Sequence, residues 1–124
     1  FLHSRRVPNP IVLSGDIHTN FVNELKLDSD DMKSPTVGAE FVGTSISSGG
    51  DGKLKLGYTD GMMAENPFIR FHNAERGYVR CEVTPKHWRS DYQVLKVEQP
   101  GAPLTTRASF VVEAGKPDIE TASG

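Results

Sequence analysis

An acid and a histidine, Asp16 and His18, stand two residues apart just past a short apolar run that ends at Leu13. Pro8 and Pro10 bound the run on one side, and Ser14-Gly15 closes it on the other. A few apolar residues between turn formers read as a buried strand that emerges into a loop. If strand geometry persists past the glycine, residues 16 and 18 project to the same side. A carboxylate and an imidazole then converge beyond the carboxyl end of a strand, where open α/β sheets place their ligands. That pair is suited to holding a metal ion or to moving a proton.

The remaining chemistry-bearing residues read more plainly. His72 lies in an alternating segment beside Phe71 and Asn73 and reads as a surface or edge-strand histidine. His87 follows a Pro-Lys turn, as an exposed strand start would, and His3 falls in the ragged beginning. The acidic stretch from Asp28 to Pro35 lacks the spacing and the glycine of an EF-hand and reads as a solvated connection. Thr44 to Gly52 is a loop of small and hydroxyl residues whose amides could cradle an anion. It lacks the Gly-Lys-Ser/Thr ending of a nucleotide loop, so a flexible surface connection is the simpler account. Cys81 is the single cysteine, which excludes an internal disulfide and a Cys-rich zinc site within this chain. It alternates with Val79 and Val83 on an apolar face and is expected to be a small buried core residue.

The elements that must position these residues fit one domain of 124 residues. A formal net charge of −2 gives no reason to expect nucleic acid or an anionic membrane as partner. No apolar run approaches the ~20 residues that span a bilayer. The chain begins at Phe1 without a methionine and without a signal-peptide core, so an upstream portion is expected to be missing. Residues 1–10 read as the tail of something earlier, followed by a Pro-Asn-Pro linker that favours entry into a strand. Phe21 to Leu27 fits a short helix or a strand equally; as a helix it would be capped by Thr19 or Asn20. Thr36 to Gly43, with Glu40 inside it, is a strand. Lys53 to Asn66 is irregular, with room for a short amphipathic helix. Pro67–Asn73, Gly77–Val83 and His87–Leu95 read as an antiparallel meander with turns at 74–77 and 84–86. Ala108–Glu113 is one more strand, and 115–124 is expected to be a loose tail. The fold class is mixed, strand-rich α/β.

Residues 10–20, Pro-Ile-Val-Leu-Ser-Gly-Asp-Ile-His-Thr-Asn, resemble the final metal-binding motif of the PhoD-type alkaline phosphatases. The stretch from Glu40-Phe41-Val42-Gly43 to Gly52 resembles the segment that follows it in that family. Asn66 to Phe71, Arg76 to Cys81, Thr84-Pro85, Trp88-Arg89 and Arg107 to Glu113 are similar to its C-terminal strands and closing stretch. The match runs in order from about residue 7 to about residue 113, which is far more specific than any one motif.

The resemblance implies a calcineurin-like metallophosphoesterase: a β-sandwich with flanking helices, of which residues 1–124 are the C-terminal part of one domain. It implies an exported, extracytoplasmic phosphatase of phosphate monoesters, and by extension diesters, with a two-metal-type site holding iron and calcium. Asp16 and His18 match metal-ligand positions; no catalytic residue is assigned and the substrate-binding residues are unknown. Thr19 or Asn20 is the nearby choice for fixing the His18 ring. The family's upstream ligands have no counterpart here, so the chain is expected to be inactive without the missing N-terminal half of the domain. The missing half should also leave apolar sheet surface uncovered. The alternative is a small β-rich binding or interaction module in which Asp16 and His18 are incidental. A further one is a parent diesterase acting on lipid head groups or teichoic-acid-like polymers.

Overall fold

Apolar residues at alternate positions drive the second half of the chain into long strands, and a computed structural model shows how they stack. It describes residues 4–5, 7–28 and 30–122. In order these form β1 (Ile11–Ser14), β2 (Asn20–Lys26), β3 (Thr36–Val42), β4 (Gly52–Lys53), α1 (Thr59–Glu65), β5 (Ile69–Val83), β6 (His87–Leu95), β7 (Thr105–Glu113) and β8 (Glu120–Ala122). The strand-rich α/β reading holds, with one short helix among the described residues. That helix is too short and too polar to cross a membrane.

The sheet runs β1-β3-β2-β5-β6-β7-β8, with β4 paired to β5. β1 and β3 are parallel, and the other pairs are antiparallel. Residues 74–77, expected to form a turn, instead continue β5, which is 15 residues long. Its first part pairs with β2 through Phe71, His72 and Asn73, and from Arg76 onward it pairs with β6. One strand thus serves two half-sheets. Gly77 makes the crossing possible: at φ +155° a Cβ there would lie 1.8 Å from the Gln93 carbonyl oxygen, a distance no side chain can accommodate.

The two half-sheets face one another across a shared core. Val22, Ala39 and Phe41 come from one, and Tyr92, Phe110, Val112 and Ile119 from the other side of β5. The Phe71 ring bridges them, 5.2 Å from Tyr92 and 5.5 Å from Phe110 between centroids, within the range where tilted aromatic pairs attract. The Tyr92 hydroxyl donates to the Phe21 carbonyl at 2.7 Å and ties the halves directly.

Several expectations are corrected. β1 is not buried: it lies at the margin of the sheet, and Val12 and Leu13 are exposed. Residues 21–26, open between helix and strand in the sequence, form a strand because they pair on both sides, with β3 and β5. Cys81 is exposed: on the face it shares with Val79 and Val83, Val79 packs against the core, whereas Cys81 and Val83 toward the end of β5 are left open. The 115–124 stretch is not loose throughout: β8 pairs with β7, and Ile119 is in the core. His72 is buried rather than on the surface, because β5 is an interior strand with α1 packed beside it. The irregular region at 53–66 does hold a short helix, α1.

Candidate metal centre

Because β1 and β3 are parallel, their carboxyl ends lie at the same end of the sheet. The turn after β1 carries Asp16 and His18, and the loop after β3 carries the small residues from Gly43 to Asp51. The two are joined at the strand ends, where Gly43 N donates to Ser14 O at 3.0 Å. Strand geometry does not persist into the turn. Asp16 and His18 have φ of 70° and 62°, the left-handed region, which most side chains avoid and which Asp and His tolerate better than most. Both residues are exposed. Among the described residues their side chains make no hydrogen bond or ion pair, so a carboxylate and an imidazole are left available at the tip of a constrained turn.

Neither Thr19 nor Asn20 fixes the His18 ring. The Thr19 hydroxyl is buried without a partner among the described residues. Asn20 turns inward instead: its Nδ2 donates to Asn73 Oδ1 at 3.1 Å, and its Oδ1 accepts from the Thr44 amide at 3.0 Å. Asn73 in turn donates to Glu75 Oε1 at 2.9 Å, and Arg107 grips both Glu75 oxygens, at 2.7 and 3.2 Å. Burial alone would raise the Glu75 carboxyl. The bonds from Arg107 and Asn73, with the attraction of Arg107 and Lys96, bring it net below its ordinary value. This network anchors the base of the turn to β5 and leaves its tip free.

His18 itself is held by its backbone. Arg76 Nη1 donates to the His18 carbonyl at 2.7 Å, and Nε donates to the Gly50 carbonyl at 3.1 Å. An open cavity of about 400 Å³ lies between His18–Thr19, the 49–53 turn, Arg76 and Glu98. In the small-residue loop, then, a carbonyl meets a cation on the protein's own β5. Glu40 is engaged inside the sheet, accepting from Ser14 Oγ and Asn23 Nδ2, both at 2.9 Å. His72 sits apart, its Nδ1 2.9 Å from Thr59 Oγ1 and its ring 4.5 Å from that of Phe21.

Asp16 and His18 suit a metal by chemistry, since carboxylate oxygen fits calcium or iron and imidazole fits iron. Two donors do not make a site, and no group of three or more His, Cys, Asp or Glu able to hold a metal assembles among the described residues. The sequence pointed to Asp16 and His18, and to Asn20 as a partner of the His18 ring rather than of Asn73, but not to Arg76 or Asn73. Their signal is burial of polar groups in strands, which spacing does not display.

A model of the PhoD-like phosphatase family matches residues 1–92, which include the turn. The chain belongs to the PhoD-like phosphatase family. It is 46% identical over 124 residues to alkaline phosphatase D of Bacillus subtilis (strain 168), covering 99% of this chain and 21% of that protein. A solved structure described as the structure of PhoD superposes with a TM-score of 0.92 at 45% identity, over 99% of this chain and 24% of that one. The chain therefore spans about a fifth to a quarter of the length of these two proteins.

Proposed function

We propose that this chain is the C-terminal part of a metal-dependent phosphatase domain, in which Asp16 and His18 supply two ligands to a two-metal-type site. One observation carries the reading. A family match that includes residues 16 and 18 coincides with a left-handed turn holding an unengaged carboxylate and imidazole at the carboxyl end of β1. The further ligands come from the part of the domain outside this chain. The substrates are phosphate monoesters and, with them, diesters; the metals are iron and calcium; the site of action is extracytoplasmic.

Bound at such a site, the metals would polarise the phosphoryl oxygens and lower the pKa of an attacking water. This chain's contribution is placement. The turn presents Asp16 and His18 to solvent, the Asn20–Asn73–Glu75 network fixes the turn to β5, and Arg76 holds the His18 carbonyl. Neither Asp16 nor His18 acts as nucleophile.

The test is hydrolysis of p-nitrophenyl phosphate and bis-p-nitrophenyl phosphate by the full-length protein, with and without a chelator. Turnover should fall at least about 100-fold in Asp16→Ala, since ligand loss should exceed the 10–100-fold cost of losing an outer partner. Unchanged turnover in that variant would remove Asp16 from the site. The ratio of the two rates separates a monoesterase from a diesterase.

A further inference from the structure

Arg76 lies in the interior of β5, is only 9% exposed, and has no carboxylate within ion-pair distance among the described residues. A buried charge without a counter-charge is costly unless its donors are spent. Those of Nη1 and Nε are spent on backbone and hydroxyl oxygens of three separate segments. Nη1 serves the His18 carbonyl at 2.7 Å, the Thr44 hydroxyl at 3.3 Å and the Ala74 carbonyl at 3.4 Å, and Nε serves the Gly50 carbonyl at 3.1 Å. The surroundings are cut to fit the guanidinium: a Cβ at Gly49 would stand 2.8 Å from Nη2.

The place where this fork lands matters. His18 is one of two non-glycine residues in the turn with left-handed backbone, a conformation that persists only where neighbours over-determine it. The Asn20 network holds the base of the turn, whereas the Arg76 contact holds it at His18. We propose that Arg76 is a positioning residue of the metal centre, fixing the His18 backbone against the 44–50 loop so that the Asp16 and His18 donors are presented in one arrangement. The inference rests on the metal reading of Asp16 and His18. It adds a residue that touches neither metal nor substrate.

Charge and position pull in opposite directions here, which makes the proposal sharp. A guanidinium near a cation site repels the cation, so a purely electrostatic role predicts tighter metal binding when Arg76 is neutralised. A positioning role predicts weaker binding. Lysine keeps the charge but has no planar fork to serve several acceptors at once, so Arg76→Lys should not restore the wild-type value.

The experiment is metal titration of the full-length protein, with calcium and with ferrous iron, for wild type, Arg76→Met, Arg76→Lys and His18→Ala. Amide hydrogen exchange of the metal-free forms accompanies it. Metal affinity should fall 10–100-fold in Arg76→Met, as for other outer partners of metal ligands, and by a smaller factor in Arg76→Lys. Exchange should quicken at residues 15–19 while β6 and β7 stay protected. Arg76→Lys carries the test alone should the methionine variant not fold. Unchanged or tighter binding in the Arg76 variants, with metal lost in His18→Ala, would overturn the positioning role and leave the metal reading intact. Undiminished metal binding in His18→Ala would instead remove the metal reading, and the role of Arg76 with it.

Discussion

His72 is a buried imidazole held through one ring nitrogen. Thr59 Oγ1, which accepts the Leu56 amide at 2.9 Å, shares a hydrogen bond of 2.9 Å with His72 Nδ1, its direction following the ring's tautomer. Nε2 has no partner among the described residues. Burial lowers the His72 pKa from its ordinary 6.5, so the unfolded chain takes up this proton more readily than the folded one. Its contribution is therefore full above pH 6.5 and is lost as the pH falls from there through the folded value. The urea midpoint of the wild type should drop over that window, and His72→Leu should flatten the drop; equal slopes would contradict the assignment. Asp91 acts at lower pH. Burial would raise it, but bonds from Ser109 and Arg89, and the attraction of Arg89 and Arg80, hold it net below 3.8. At this scale the proposed pair, Asp16 and His18, was legible because the two stand two residues apart at the end of an apolar run. Arg76 was not, because its acceptors are backbone carbonyls and one hydroxyl, with His18 58 residues away, and spacing does not encode them.

Among the elements, β5 carries the most consequence, since it belongs to both half-sheets. Glu75-Arg76-Gly77 reads as a turn because arginine and glycine punctuate an apolar pattern, yet the glycine is there for the close approach of the Gln93 carbonyl. Gly77→Ala should destabilise the fold by roughly 3 kcal/mol, the upper end for a strained backbone position, measured as a shift in urea midpoint. A shift near zero would mean that β5 and β6 can separate there at no cost. Tyr92→Phe removes the hydroxyl that joins the half-sheets at the Phe21 carbonyl, and should cost about 1 kcal/mol, the net worth of one hydrogen bond. The strands β6 and β7 were legible because Tyr92, Val94, Phe110 and Val112 recur at period two. β1 was misjudged because an apolar run looks buried even where the strand lies at the sheet margin. In Gly77–Val83 the phase was right at Val79, which packs against the core, but the core does not extend to Cys81 and Val83, which are exposed.

For the molecule as a whole, the PhoD-like family and the strand-rich fold agree, and to the proposed metal centre this chain offers two donors. Leu13, Ile17, Ile46 and Val83 are each more than half exposed, and β1 ends the sheet with one edge unpaired among the described residues. Such an edge invites association. The isolated 124-residue chain should self-associate with rising concentration, read by sedimentation, and Leu13→Lys should reduce it; a strictly monomeric chain would argue against an uncovered interface. It should also hydrolyse no phosphate ester, because two donors do not complete a site, and chelator-sensitive turnover by it would show otherwise. The most direct measurement is elemental analysis of the full-length protein as purified, for wild type and for the Asp16→Ala/His18→Ala double variant, with folding checked by circular dichroism. The account predicts bound metal in the wild type and its loss in a folded double variant. Equal metal in both would contradict it, leaving the turn a feature of the PhoD-like fold without a part in its chemistry.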